Sequence, residues 1–108
     1  MVEQSAKFEE IQIPLIEPAQ GQDHVSAVLG IPEWWPTGSR IAVVLAHPAS
    51  GDMNHPLLES LQRQLTERHF LTLRFNFPFA QAGRKAKLDP METLERTFRT
   101  AMAALRHD

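Results

Sequence analysis

The sequence contains no cysteine. Disulfides and thiolate chemistry are therefore excluded, and the absence fits a cytosolic setting. Nor is there an excess of positive charge: 11 basic residues stand against 13 acidic ones, for a net charge of −2 at pH 7. A nucleic-acid binder needs a basic field to hold phosphates, so no nucleic-acid partner is expected. The one dense basic cluster, Arg84, Lys85 and Lys87, reads as a solvated loop. Long apolar runs are also missing. The longest, Ile41 to Ala46, is far short of the roughly 20 residues of a membrane span. The start, MVEQSAKFEE, is polar and acidic, with no apolar core of signal-peptide type. The expectation is a soluble, cytoplasmic protein without a membrane partner.

What is present is a globular composition. With 43% hydrophobic and 22% charged residues over 108 positions, the chain suits one domain. Residues 1–8 read as a frayed terminus. Ile11, Ile13 and Leu15 alternate like a strand, and Pro14, which cannot donate to a ladder, marks it as an edge strand. Gln20 to Asp23 is a turn cluster. Val25 to Ile31 reads as a second strand, stopped by Pro32, and an antiparallel hairpin is the simplest join.

Trp34 and Trp35 follow in a loop, where they pack on the nearby sheet, or else form a ligand platform or a subunit contact. Ile41 to Ala46 is the strongest strand signal. Being apolar on both sides, it suits a covered, parallel sheet. Pro56 then suits the first position of a helix that His55 or Asn54 caps. Leu57, Leu58, Leu61 and Leu65 form its expected buried stripe, with Glu59, Gln62, Arg63 and Glu67 directed elsewhere. Leu71 to Phe75 is a third strong strand signal, closed by Phe77 and Pro78, and the strand–helix–strand rhythm is a βαβ unit. Gln81 to Leu88 reads as a polar loop. A last helix is expected from Asp89 as cap, Pro90 at the first position and Glu92 reaching back. Leu94, Phe98, Ala101, Met102 and Leu105 give it one core face.

Several blocks agree in order and spacing with one family. The strand ending His47-Pro48-Ala49-Ser50-Gly51, the Met53 to Pro56 block, the Arg74 to Phe79 block and Arg84-Lys85 resemble the α/β-hydrolase superfamily. Within it they resemble the branch of predicted hydrolases related to dienelactone hydrolase, which includes a non-enzymatic subunit of a histone acetyltransferase complex. The resemblance runs from about Arg40 to the end. It implies an α/β fold: a partial α/β-hydrolase-type sheet of strand order 1-2-4-3, with two crossover helices on opposite faces. Ile41 to Ala46 then lies at the sheet edge, with a fifth strand expected beside it.

The resemblance also implies where chemistry sits. The family's nucleophile stands in Gly-x-Ser-x-Gly, and none of Ser5, Ser26, Ser39, Ser50 and Ser60 has that context. No catalytic residue is therefore assigned, and residues 1–108 read as the N-terminal half of a hydrolase-like domain, inactive alone. The candidates that remain form the oxyanion loop: the Ala49 N–H as donor, with His47 and Ser50 shaping the turn. Pro48 and Ser50 replace family glycines, which removes one donor and restricts the backbone.

Other chemistries fit less well. His47, Asp52 and His55 lack any zinc spacing, so no metal is expected. Ser50 with His47 or His55 has no orienting third group, and Asn76 is expected to satisfy local backbone. Residues 50–54 lack the Gly-Lys-Ser/Thr of a phosphate loop, so no cofactor is expected. Trp34, Trp35, Ile41, Val43 and Leu45 are the partner-contact candidates. The partner is a second copy or a complementing C-terminal half. The alternatives are a small interaction module using the sheet edge, or one half of a two-chain hydrolase.

Overall fold

The computed structural model describes residues 6–33, 41–83 and 86–106. Two long strands open the fold, β1 (Lys7–Ala19) and β2 (Gln22–Ile31). They pair antiparallel from Lys7 opposite Ile31 to Pro14 opposite His24, and the register shifts between Pro14 and Ala19. The regular ladder thus breaks just after the proline. Gln20 and Gly21, at φ 54° and 75°, join Ala19 to its partner Gln22. Positive φ at both central residues is the twist-compatible hairpin turn. Lys7 and Phe8 lie inside this ladder, which corrects the frayed start expected over 1–8 at these two positions; residues 1–5 lie outside the described residues.

A βαβ unit follows: β3 (Ala42–Ala46), α1 (Pro56–Glu67) and β4 (Leu71–Phe75). β3 and β4 are parallel, while β4 also pairs antiparallel with β2. The sheet order is β1-β2-β4-β3, as the family resemblance implies, and β3 lies at an edge. It is incompletely covered: Ala42 and Ala46 are exposed and Val43 to Leu45 half-buried.

The helices α1 and α3 (Met91–Arg106) lie on opposite faces. Leu71, Leu73 and Phe75 of β4 share one core with Ile13, Val25, Ala27, Leu29, Ala101 and Leu105. On the other face, Thr72 and Arg74 meet α1 through Thr66 and Gln62. This is the strand alternation of side chains put to use. A third helix, the short α2 (Pro78–Ala82), takes Gln81 and Ala82 out of the expected loop.

The helix faces depart from the leucine pattern. α1 buries Leu58, Gln62 and Thr66, whereas Leu57 is 61% exposed and Leu61 38%. Gln62 reaches the inside because it finds partners there. Its Nε2 donates to Val28 O at 2.8 Å and its Oε1 accepts from Arg74 Nε at 2.6 Å. Gly30 leaves the room: a Cβ there would meet Thr66 Oγ1 at 2.7 Å and Thr72 Oγ1 closer still. In α3, Ala101 and Leu105 are buried, Leu94 and Phe98 pack partly against the core, and Met102 remains 38% exposed. No described helix is long and apolar enough to cross a membrane.

The start of α1 follows its sequence signal, and its end closes on local backbone. His55 caps it by accepting from Leu57 N–H, with Pro56 in the first turn. At the other end, Phe70 N–H bonds Leu65 O and His69 N–H bonds Thr66 O, with His69 at φ 74°. That is a Schellman closure with histidine in the place glycine usually fills.

Candidate functional site

The parallel strands β3 and β4 end side by side, and the segments that follow them wall a cleft of about 680 Å³. Residues 49–52 and 54–56 form one wall; Phe79, Ala80, Gly83, Ala86 and Leu88 form the other. Crevices at the carboxyl ends of parallel strands are the general ligand position in open α/β sheets.

The first wall is built on a tight turn. Gly51 N–H donates to Pro48 O at 3.1 Å, which leaves Ala49 and Ser50 as the central residues. Neither has positive φ, so Ser50 fits without the left-handed backbone that a glycine would permit. The Ala49 N–H donates to no group among the described residues. Ala49 and Ser50 are both exposed and line the cleft.

His47 fastens this turn to the opposite wall. It is 5% exposed. Its Nε2 accepts from Phe77 N–H at 3.0 Å, so that nitrogen carries no proton. Its Nδ1 faces Pro48 O at 2.8 Å and must be the protonated one. Phe77 and Phe79 meet the ring edge-on, with centroids 5.1 and 5.3 Å away. Burial pushes the His47 pKa below its ordinary value, opposed by the Pro48 hydrogen bond and by Asp52 and Asp89. The ring is thus a neutral brace between the turn and the Phe77 segment.

Three further brackets hold the walls. Asn76, buried, accepts from Met53 N–H at 2.9 Å and donates to Gln81 Oε1 at 3.1 Å. Arg74 donates to Met53 O at 2.8 Å and Asn54 Oδ1 at 3.1 Å. Asp89, 4% exposed, accepts from Phe79 N–H at 2.9 Å and from Gln20 at 3.2 Å. This corrects its expected role as the cap of α3. Pro90 O accepts the first helical bond, from Leu94, and the Asp89 carboxylate is committed to the cleft wall instead. Glu92 pairs outward with Arg96 at 3.4 Å.

The other candidates are placed as follows. Asn76 does not serve its local backbone, the role expected of it, but a distant loop through Met53 N–H. His55 Nδ1 is engaged by Leu57 N–H and both His47 nitrogens are taken, while no metal-binding cluster of acids and histidines forms among the described residues. Neither histidine forms a hydrogen bond with Ser50. Ile41 is 59% exposed, and Val43 and Leu45 lie on the edge strand away from the cleft. Trp34, Trp35, Arg84 and Lys85 lie outside the described residues. Sequence reasoning missed Arg74 and Asp89 as braces. Arg74 belongs to the Arg74 to Phe79 block, whereas Asp89 has the local signature of a helix cap.

The comparisons agree with this fold. No curated protein is matched. A solved structure, a candidate dienelactone hydrolase from Klebsiella pneumoniae, superposes with a TM-score of 0.52 over 95% of this chain at 16% identity. At that identity the likeness is one of fold. The chain spans 42% of that protein's length. The family model of the α/β-hydrolase domain matches residues 39–108, more than half the chain, from just before β3 through α3. The chain therefore belongs to the α/β-hydrolase domain family.

Proposed function

We propose that these 108 residues are the N-terminal part of a hydrolase of ester type, and that they carry its oxyanion loop without its nucleophile. One observation carries the reading: an uncommitted Ala49 N–H on a braced turn, lining a cleft at the carboxyl ends of two parallel strands. A backbone donor held rigidly at such a position stabilises the charge on a tetrahedral intermediate, typically by several kcal/mol. Rigidity matters because a donor that must reorganise loses much of that benefit. His47, Asn76 and Arg74 supply it here. The nucleophile, acid and base then come from residues outside these 108, either further along the same polypeptide or in a second one.

The edge of the sheet supports the same division. β3 is short and apolar, and a strand of that kind invites another beside it. Val43 and Leu45 are the side chains that an added strand or a second copy would cover. A self-associating interaction module is the second reading, and it rests on this edge alone.

The test is chemical. The purified chain is treated with a fluorophosphonate probe and assayed with p-nitrophenyl acetate. No labelled serine is expected, and no turnover that responds to Ser50→Ala. A labelled serine with saturable, serine-dependent turnover would show that the chain carries its own nucleophile.

A further inference from the structure

We infer that the cleft has an acid-sensitive latch, the hydrogen bond from Phe77 N–H to His47 Nε2. It ties the His47–Gly51 turn to the segment leading into α2. The inference rests on hydrogen bonds and burial, and stands whether or not the cleft binds an ester.

The geometry leaves protonated His47 nowhere to go. Nε2 is an acceptor for a backbone N–H at 3.0 Å. Protonating it sets one donor against another, and the bond is lost outright. The ring cannot simply flip, because Nδ1 is already donating to Pro48 O at 2.8 Å. The new cation would also be buried, with Phe77 and Phe79 edge-on to the ring. Asp52, on its own loop, and Asp89, before α3, are the acidic groups that act on it. Neither bonds the ring: the Asp89 oxygens serve Phe79 and Gln20, and Asp52 Oδ1 serves Asn54 N–H. Acid therefore releases the turn from the Phe77 segment and loosens that side of the cleft, while the Asn76 and Arg74 brackets stay in place.

The sign follows from the direction of the shift. The latched state holds the ring neutral, below the ordinary value of 6.5, and the open state lets it titrate normally. The latch is intact above that pH and weakens as the pH falls. Between the two pKa values, opening increases up to about tenfold per pH unit.

Native-state hydrogen exchange of the chain, in whatever assembly it adopts, reads this directly. The Phe77 amide should be less protected than the Leu73 amide at the sheet centre, and its protection should fall as the pH drops from 7.5 to 5.5. In His47→Gln, whose side-chain oxygen accepts the same bond but cannot titrate, that fall should vanish. Equal protection of Phe77 and Leu73, or an undiminished fall in His47→Gln, overturns the latch. Ring nitrogen shifts of His47 in the unaltered chain give a second reading, independent of any variant. They should show Nδ1 protonated at neutral pH, and the Phe77 amide shift should titrate with the ring. Protonated Nε2, or two separate midpoints, overturns it equally.

Discussion

Individual residues in this chain do work that their type does not announce. Gly30 is the clearest case, because nothing in its backbone demands glycine. What demands it is the pair of hydroxyls opposite, Thr66 and Thr72, bonded to each other at 2.8 Å and both fully buried. Threonine is stiff at χ1, so neither hydroxyl can retreat from an added methyl without breaking the pair. Gly30→Ala is expected to cost about 1–3 kcal/mol, as overpacking of a close-packed site does. A urea midpoint unchanged from the parent chain would mean that α1 can move away from the sheet. None of this was legible in the sequence. A glycine in a strand signals a close approach in general terms, but the approaching groups sit more than thirty positions away.

At the scale of elements, legibility depended on whether the signal was local. The hairpin turn and the His55–Pro56 start of α1 are both set by neighbouring residues, and both were readable. The buried face of α1 is set by β2 and β4, and the leucine pattern misread it. Four leucines suggest a core stripe, yet Gln62 goes inside because Val28 O and Arg74 Nε await it, and Leu57 stays out. The contrast is testable. Gln62→Leu should destabilise by about 1–3 kcal/mol, since it strands a buried carbonyl and a guanidinium N–H. Leu57→Gln should stay within about 0.5 kcal/mol of the parent. Thermal denaturation of the two variants should rank them so, and the reverse order would restore the leucine stripe. The Asp89 signal failed in the same way. It is a good local cap, but a more distant backbone N–H at Phe79 claims the carboxylate.

For the molecule as a whole, the sheet order was legible only through family resemblance. Composition and periodicity had placed Ile41 to Ala46 inside a covered sheet, and the structure places β3 at an edge with partial cover. The shape fits an open assembly. The radius of gyration is 14.3 Å and the extents are 48 × 27 × 20 Å, against about 13 Å for a closed domain of this length. The 13-residue β1, at about 3.3 Å per residue, accounts for most of the long axis. Beside β3 lies a groove of about 420 Å³ bordered by Ala42, Val44, Phe98 and Met102. Strand edge and groove together form an apolar border that closed folds cover.

Sedimentation velocity of the 108-residue chain across a concentration series tests the open edge most directly. Concentration-dependent association is expected, and a charge on the edge strand, Val43→Lys, should shift it toward monomer. A stable monomer at every concentration and salt, with Val43→Lys indistinguishable from it, would contradict the account.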